Sequence, residues 1–404
     1  MTTYILSTSL PCQAAINKAL AHCGTEHRAV LGLDLELATP AGAIVIGGGA
    51  PLYLGKHPRA LWSELVRWLI KQGCEVHAAQ ESCGFGWEFH RQLEAAGARS
   101  CVVAPQEMSG KRKTDKRDAG ALATLLWDYQ VRGNLKCLRV VEVPTAQQQQ
   151  RRGYHRNRSQ WVRLRCQLEA QGRCLMLDHG WLEVPKGWWG ARLWAKLRAA
   201  LEAAGQQWLV GMLEAMQRIC LGMEARIKEL EQQAVDQMQA AADEPGVACA
   251  GQAQAQAQAT PPRSASSPGA VLPKGLGQFS HAVLQLEVRD WTRFKNRGQA
   301  GSFIGCCPSE HSSGRSQRLG EIDRMGSARL RTLLVEAAWR LRKWNPGWRG
   351  FRKFAEVLGP QAKASGAKKR KAIVACARML MIDLWRLHTG AATLQGLGLQ
   401  AAHT

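Results

Sequence analysis

The segment Ala29-Val30-Leu31-Gly32-Leu33-Asp34 constrains this chain more than any other, because it is an unbroken apolar run that stops on a carboxylate. A run this short, rich in branched residues, reads as a strand buried on both faces. Similar runs follow at Ala43-Ile44-Val45-Ile46 before three glycines, at Glu75 to Ala79 leading to Glu81, and at Cys101-Val102-Val103-Ala104 before Pro105. Between them, Leu61, Leu65, Leu69 and Ile70 recur at helical spacing, and Phe89 to Ala96 reads as a second helix. Thr114 to Tyr129 reads as a third, with Ala119, Ala121, Leu122, Leu125 and Leu126 on its inner face. Strands alternating with helices predict an α/β layer with parallel strands. Ligand-binding residues of such a sheet stand at the carboxyl ends of the strands, which is where Asp34 and Glu81 fall.

A second acidic signal is Lys113-Thr114-Asp115-Lys116-Arg117-Asp118-Ala119. Asp115 and Asp118 are three apart, so a helix carries both on one face. Thr114 stands where it can cap that helix. The pair has two readings: acids that favour the helix dipole, or half of a metal site completed by Asp34 and Glu81. Mg²⁺ takes hard oxygen ligands and keeps positions open for phosphate oxygens. The neighbouring Lys111, Arg112, Lys113, Lys116 and Arg117 suit a phosphodiester substrate.

Charge points the same way. Lys plus Arg number 54 against 32 for Asp plus Glu, a net +22, and an excess of that size suggests a polyanionic partner such as nucleic acid. The stretch containing Arg151, Arg152, Arg156, Arg158, Trp161, Arg163 and Arg165 interleaves cations with aromatics. That suits phosphate contact with base stacking, or else a solvated helix face. The 13 cysteines form no C-x-x-C pair and read as reduced core residues. No apolar run reaches the roughly 18 residues of a membrane span, and the expectation is a cytoplasmic, nucleoid-associated bacterial protein with no membrane partner.

The chain reads as six parts. They are an extension (1–27), an α/β domain (28–145), a helical or coiled-coil region (146–245), a linker (246–270), a mainly α C-terminal domain (271–390) and a tail (391–404). In the helical region, Leu213, Met216, Ile219, Met223, Ile227, Leu230 and Met238 recur mostly at three- or four-residue steps, giving a helix packed on its own domain or a coiled coil with a partner chain. Residues 250–270, rich in Ala, Gln, Pro and Ser, mark the linker. The C-terminal domain brings Lys274 in a Gly-containing turn, then Arg293 and Lys295. A Ser312-Ser313-Gly314 turn follows among Arg315, Arg318, Arg324, Arg329 and Arg331. A serine beside cations can attack a phosphodiester, and an ordinary polar turn is the other reading.

Gly32-Leu33-Asp34, Glu81, Lys113-Thr114-Asp115-x-x-Asp118-Ala119, a helical middle, Gly305-x-x-Pro308-Ser309-Glu310-x-Ser312-Ser313-Gly314 and Leu330-Arg331-x-Leu333-Leu334 occur in that order. In this the chain resembles the insertion-sequence one-ten family of DEDD transposases, from about residue 28 to 390. The resemblance implies a RuvC-like (RNase H-fold) domain in which Asp34, Glu81, Asp115 and Asp118 bind Mg²⁺ or Mn²⁺. It implies a catalytic serine at Ser313, with Ser312 as the alternative, that forms a covalent DNA intermediate. It further implies donor and target DNA, a guiding bridge RNA and a homo-oligomer as partners. Glu36 and the acid-bearing segment Gly320-Glu321-Ile322-Asp323 depart from the family's pattern. The rival functions are a RuvC-like nuclease without serine chemistry and a non-catalytic nucleic-acid-binding derivative.

Overall fold

The computed structural model describes residues 12–22, 27–105, 114–243, 272–310 and 319–402. The chain divides into two compact units, Met1–Thr145 and Ala146–Thr404.

In the first unit the apolar run becomes strand β1 (Arg28–Asp34), buried along its interior. Ala29, Leu31 and Leu33 enter one apolar cluster and Val30 the other, as the two-residue period of a strand requires. The sheet has the order β3-β2-β1-β4-β5-β6, and it is only partly parallel. Strand β1 runs parallel to β4 (Glu75–Glu81), and β4 to β5 (Arg99–Val103). Strands β2 (Ala41–Ile46) and β3 (Leu52–Lys56) form antiparallel hairpins, and β6 (Val140–Val141) pairs antiparallel with β5. The parallel strands expected are β1, β4 and β5, and connection length accounts for the antiparallel β2 and β3. A parallel crossover needs a dozen or more residues, usually a helix. The links 35–40 and 47–51 are too short, whereas α2 (Arg59–Lys71) and α3 (Trp87–Ala95) occupy the two parallel crossovers.

Helices cover both faces. Trp62, Leu65, Val66 and Leu69 of α2 and Phe89 and Leu93 of α3 pack on one. Helix α1 (Gln13–His22) joins them through Ile16, which is fully buried, so the segment without a sequence pattern contributes to the core. Burying such a side chain stabilises by about 1.5–3 kcal/mol. On the other face lies α4 (Asp115–Gln130), whose buried residues are Ala119, Leu122, Ala123, Leu126 and Trp127. Ala121 and Leu125, expected on that face, sit at its margin. Helix α4 lies directly on the backbone of β1: a Cβ at Gly32 would overlap the carbonyl oxygen of Ala119 and the nitrogen of Ala123.

The second unit begins with two long helices, α5 (Ala146–Asp178) and α7 (Gln207–Asp243), joined through α6 (Ala191–Ala203). Arg158 pairs with Glu231 and Arg165 with Glu224, both at 2.6 Å. As numbers rise along α5 they fall along α7, so the pair is antiparallel, and the rungs are one heptad apart. The α7 seam is Leu209, Leu213, Cys220, Ile227, Leu230 and Ala234, while Ile219 faces solvent. Helix α7 therefore finds its partner within its own chain. Trp188, Trp194 and Leu201 close the α6 end of the hairpin.

The remaining helices are α8 (Gln278–Val288), α9 (Arg297–Ser302), α10 (Ala328–Trp344), α11 (Arg349–Lys353), α12 (Ala355–Leu358), α13 (Gly366–His388) and α14 (Leu394–Leu397). They share one core with Leu284, Leu334, Ala338, Trp348, Ile373 and Leu380 at its centre. Trp348 donates its indole N–H to the fully buried Asp383, which also accepts from Arg349. A two-stranded ribbon, β7 (Pro308–Glu310) with β8 (Leu319–Ile322), precedes α10. The domain does not stop at residue 390. Leu397 and Leu399 are buried in the same core, and the backbone N–H of Ala402 donates to the Leu272 carbonyl.

Candidate active site

Strand register gathers the acids of the first unit. Asp34 stands opposite Ala41, Ala41 opposite Lys56, and Leu33 opposite Gln80, the residue before Glu81. One end of the sheet thus presents Asp34, Glu81 and Lys56 side by side. Helix α4, held on β1 by the missing side chain of Gly32, brings Asp115 and Asp118 in its first turn to the same end. Thr114 occupies the N-cap position, but its hydroxyl makes no capping bond. Its carbonyl accepts the N–H groups of Arg117 and Asp118 instead.

The electrostatics record this convergence. Burial raises the pKa of Asp34 above the usual aspartate value, and Asp115, Asp118, Glu81 and Glu36 each push it further. Like charges disfavour ionisation only when they are close. The balancing charge comes from Lys56, whose Nζ lies 2.7 Å from Asp115 Oδ2 and 2.6 Å from Glu36 Oε1. These two bonds hold the ammonium protonated well above the ordinary lysine range. Sequence reading missed Lys56, because the run Leu52-Tyr53-Leu54-Gly55-Lys56 follows a glycine turn and is too short to stand out.

Asp34, Glu36, Glu81, Asp115 and Asp118 supply hard oxygen donors of the kind a divalent cation takes, and Lys56 pairs with two of them, Asp115 and Glu36. Among the described residues, no three His, Cys, Asp or Glu side chains stand close enough together to enclose a cation. Beside the acids, an open groove of about 490 Å³ runs along α4, lined by Pro51, Tyr53, Lys116, Arg117 and Thr124. Lys116 and Arg117 are exposed there. Lys111, Arg112 and Lys113 lie outside the described residues.

Most of the expected cations of the second unit do not form an open row. Arg151 and Arg152 are buried, and Arg156 grips Glu287 through Nε and Nη2. Arg158 is committed to Glu231 and lies over the Phe279 ring. The cation–aromatic contact of Arg158 is thus intramolecular, as are those of Lys274 over Trp344 and Arg293 over Phe303. Arg331 donates to the Ile304 carbonyl, and Arg324 pairs with Glu321. Arg163 and Lys295 are exposed. The Gly-containing turn at Lys274 is held by the Asn345 side-chain amide, which donates to the Lys274 carbonyl, and by the Lys274 N–H, which donates to the Gln400 carbonyl. Ser312, Ser313, Arg315 and Arg318 lie outside the described residues. Their neighbour Ser309 donates to the Glu321 carbonyl across the ribbon. The described cysteines are all free, but Cys12, Cys166 and Cys174 are exposed and so are not core residues.

Residues 273–353 match the family model for the transposases of the IS116/IS110/IS902 family. This segment is similar to the transposase domain of that family. It holds α8 to α11 and the β7–β8 ribbon, and hence Glu287, Arg329 and the Ser312-Ser313 pair. Beyond this segment, the similarity extends over most of the chain. A Pseudomonas aeruginosa protein named "Probable family 20 transposase" is 27% identical over 281 residues, covering 69% of this chain and 75% of the relative. The "Transposase for insertion sequence element IS1111A" of Coxiella burnetii is 25% identical over 293 residues, covering 72% of this chain and 71% of the relative. Among the described residues, no helix is long and apolar enough to cross a membrane.

Proposed function

We propose that this chain is the transposase of an insertion sequence, cutting and rejoining DNA through a RuvC-like metal site and a serine nucleophile. The observation that carries the metal half is the convergence of Asp34, Glu81, Asp115 and Asp118 at one end of the sheet, felt as mutual repulsion at Asp34. The sheet supports a RuvC-like core: an antiparallel meander, β3-β2-β1, continued by parallel strands β4 and β5, with the acids at the strand ends. The four carboxylates would hold Mg²⁺ or Mn²⁺. Such an ion supplies Lewis-acid stabilisation of charge building on phosphoryl oxygens. Lys116 and Arg117, exposed beside the acids, hold the DNA backbone.

The serine half rests on the transposase domain match and the placement of Ser312-Ser313 between β7 and β8. Ser313 Oγ, or Ser312 Oγ, forms a bond to phosphorus as the bond from phosphorus to a deoxyribose oxygen breaks. The serine proton passes to a base and the departing oxygen takes up a proton. Guidance by a bridge RNA and assembly as a homo-oligomer belong to the same reading, as does a place in the bacterial cytoplasm at the nucleoid.

Recombination of a two-plasmid reporter tests it. Asp115→Asn and Ser313→Ala are each expected to lower recombination by two or more orders of magnitude. Ser313→Ala also abolishes the covalent protein–DNA adduct unless Ser312 is the nucleophile, in which case Ser312→Ala does so. Full recombination by Asp115→Asn would sink the metal assignment. Full metal-dependent cleavage with neither serine would establish a plain nuclease, and binding without cleavage a non-catalytic derivative.

A further inference from the structure

In the second unit, one buried carboxylate faces a surplus of cations. Glu287, at the end of α8, is 9% exposed. Its Oε1 and Oε2 accept from Arg156 at 2.9–3.0 Å. Arg152 Nε lies 3.8 Å from Oε2, Arg329 Nε 3.7 Å from Oε1, and His155 Nε2 3.4 Å from Oε1. Burial lowers the pKa of His155 to about 4, so the imidazole is neutral. Three guanidiniums thus oppose one carboxylate.

A structural tie between helices needs one cation for one carboxylate, because each unbalanced buried charge costs free energy. Burial, together with the neighbouring arginines, already lowers the pKa of Arg152 to about 10. Burial lowers that of Arg329 too, with the charges of Arg156 and Arg163 adding to it. Neither Arg152 Nε nor the ring nitrogens of His155 make a hydrogen bond among the described residues. The surplus has an outlet on one side only. Arg156 and Arg329 each keep 38% of their side chains exposed. Arg163 is exposed two turns along α5 from Arg156, close enough for Arg329 to feel its charge. Ser159, between them on α5, accepts from Arg329 Nη1. Glu287 occupies Nε and Nη2 of Arg156 and leaves Nη1 unused among the described residues.

We infer that Arg156, Arg163 and Arg329 form a seat for one backbone phosphate of a nucleic acid, with Glu287 as the positioning residue that aims the Arg156 guanidinium. This rests on the nucleic-acid half of the proposed function. The ligand chemistry is a phosphodiester, which DNA and RNA both provide. Guanidinium suits it because its planar fork meets two phosphate oxygens at once. The seat joins α5, α8 and α10, and α10 begins a few residues beyond β8, one of the strands flanking Ser312-Ser313. A phosphate bound here therefore positions the chain leading out of the proposed nucleophile ribbon.

The test uses the full chain with a fluorescein-labelled DNA duplex and, separately, a labelled single-stranded RNA of the same length. Affinity is measured across a NaCl series for the wild type, Arg163→Gln, Arg329→Gln and, as a control, Arg192→Gln on the exposed face of α6. A lost phosphate contact lowers the slope of log K against log salt by about 0.9 for duplex DNA and about 0.7 for a single strand. Arg163→Gln and Arg329→Gln are expected to show that drop and Arg192→Gln none. The polymer on which the drop appears identifies the source of the phosphate. Among the described residues Arg163, which is exposed, has no ion-pair partner to lose, so its variant folds, and a thermal melt like that of the wild type verifies this. Unchanged slopes on both polymers would overturn the seat. Retained slopes in a wild type that recombines no reporter would overturn the transposase reading and leave the seat standing.

Discussion

The two polar clusters of this protein are charge-imbalanced in opposite senses. At the sheet end of the first unit, Asp34, Glu81 and Asp118 crowd the pair Asp115 and Glu36 that Lys56 holds, as seen among the described residues. In the second unit, three arginines share one glutamate. The first is half-exposed, so water and Lys56 tolerate the excess. The second is closed by helix packing, and its excess reaches solvent only at Arg156 and Arg329. An acid-rich site short of cations is suited to bind metal, and an arginine-rich site short of anions is suited to bind phosphate.

The largest expected effect comes from removing the single anion of the second cluster. Glu287→Ala leaves the Arg152 guanidinium buried without a counter-charge, and breaking a buried pair costs about 3–5 kcal/mol. Thermal melting should show the second unit unfolding far earlier, with Glu287→Gln less affected. Equal melting of wild type and Glu287→Ala would mean that the cluster is not buried as described.

The counterpart in the first unit is steric. Gly32→Ala places a methyl group against the backbone of Ala119 and Ala123, and overpacking of this kind costs about 1–3 kcal/mol or more. It should also push α4 off β1, so metal binding should weaken along with stability. Gly84→Ala, where a Cβ meets nothing, is the control. If Gly32→Ala melted like Gly84→Ala, the close approach that brings Asp115 and Asp118 to Asp34 would be wrong.

The smallest effect sharpens the comparison. Lys56→Met removes the cation that, among the described residues, competes for Asp115 and Glu36, so Mn²⁺ or Tb³⁺, followed by luminescence or calorimetry, should bind several-fold more tightly. Weaker binding would show that Lys56 organises the acids for the ion rather than standing in for it.

Some of this was legible in the chain. Asp34 and Glu81 declared themselves because an apolar run that ends in an acid has few places to end other than a sheet edge. Asp115 and Asp118 did so through their three-residue spacing, and the α7 seam through its period. Lys56 did not, since its strand is a hairpin arm with a glycine before its end. Nor did Glu287, a single acid in the mostly apolar helix Gln278–Val288, whose α5 partners lie more than a hundred residues earlier. In the cationic stretch from Arg151, the pairing of Arg152, Arg156 and Arg158 with acids of distant helices was hidden for the same reason. Ile16 and Leu397 were hidden too, each in a short helix with too few turns to show a pattern.

By itself, then, the sequence determined which segments become strands and helices, that four acids stand at element ends, and that the chain carries more positive charge than its own acids can use. Those properties are local or additive, and period, spacing and composition record them. Only the tertiary structure decided that the sheet is mixed, that α7 pairs with α5, that Lys56 lies among the acids, and that Glu287 absorbs arginines expected on the surface. These are choices of partner between residues far apart in the chain, made by burial and by the cost of leaving a charge unpaired, and no window of sequence contains both members of the pair.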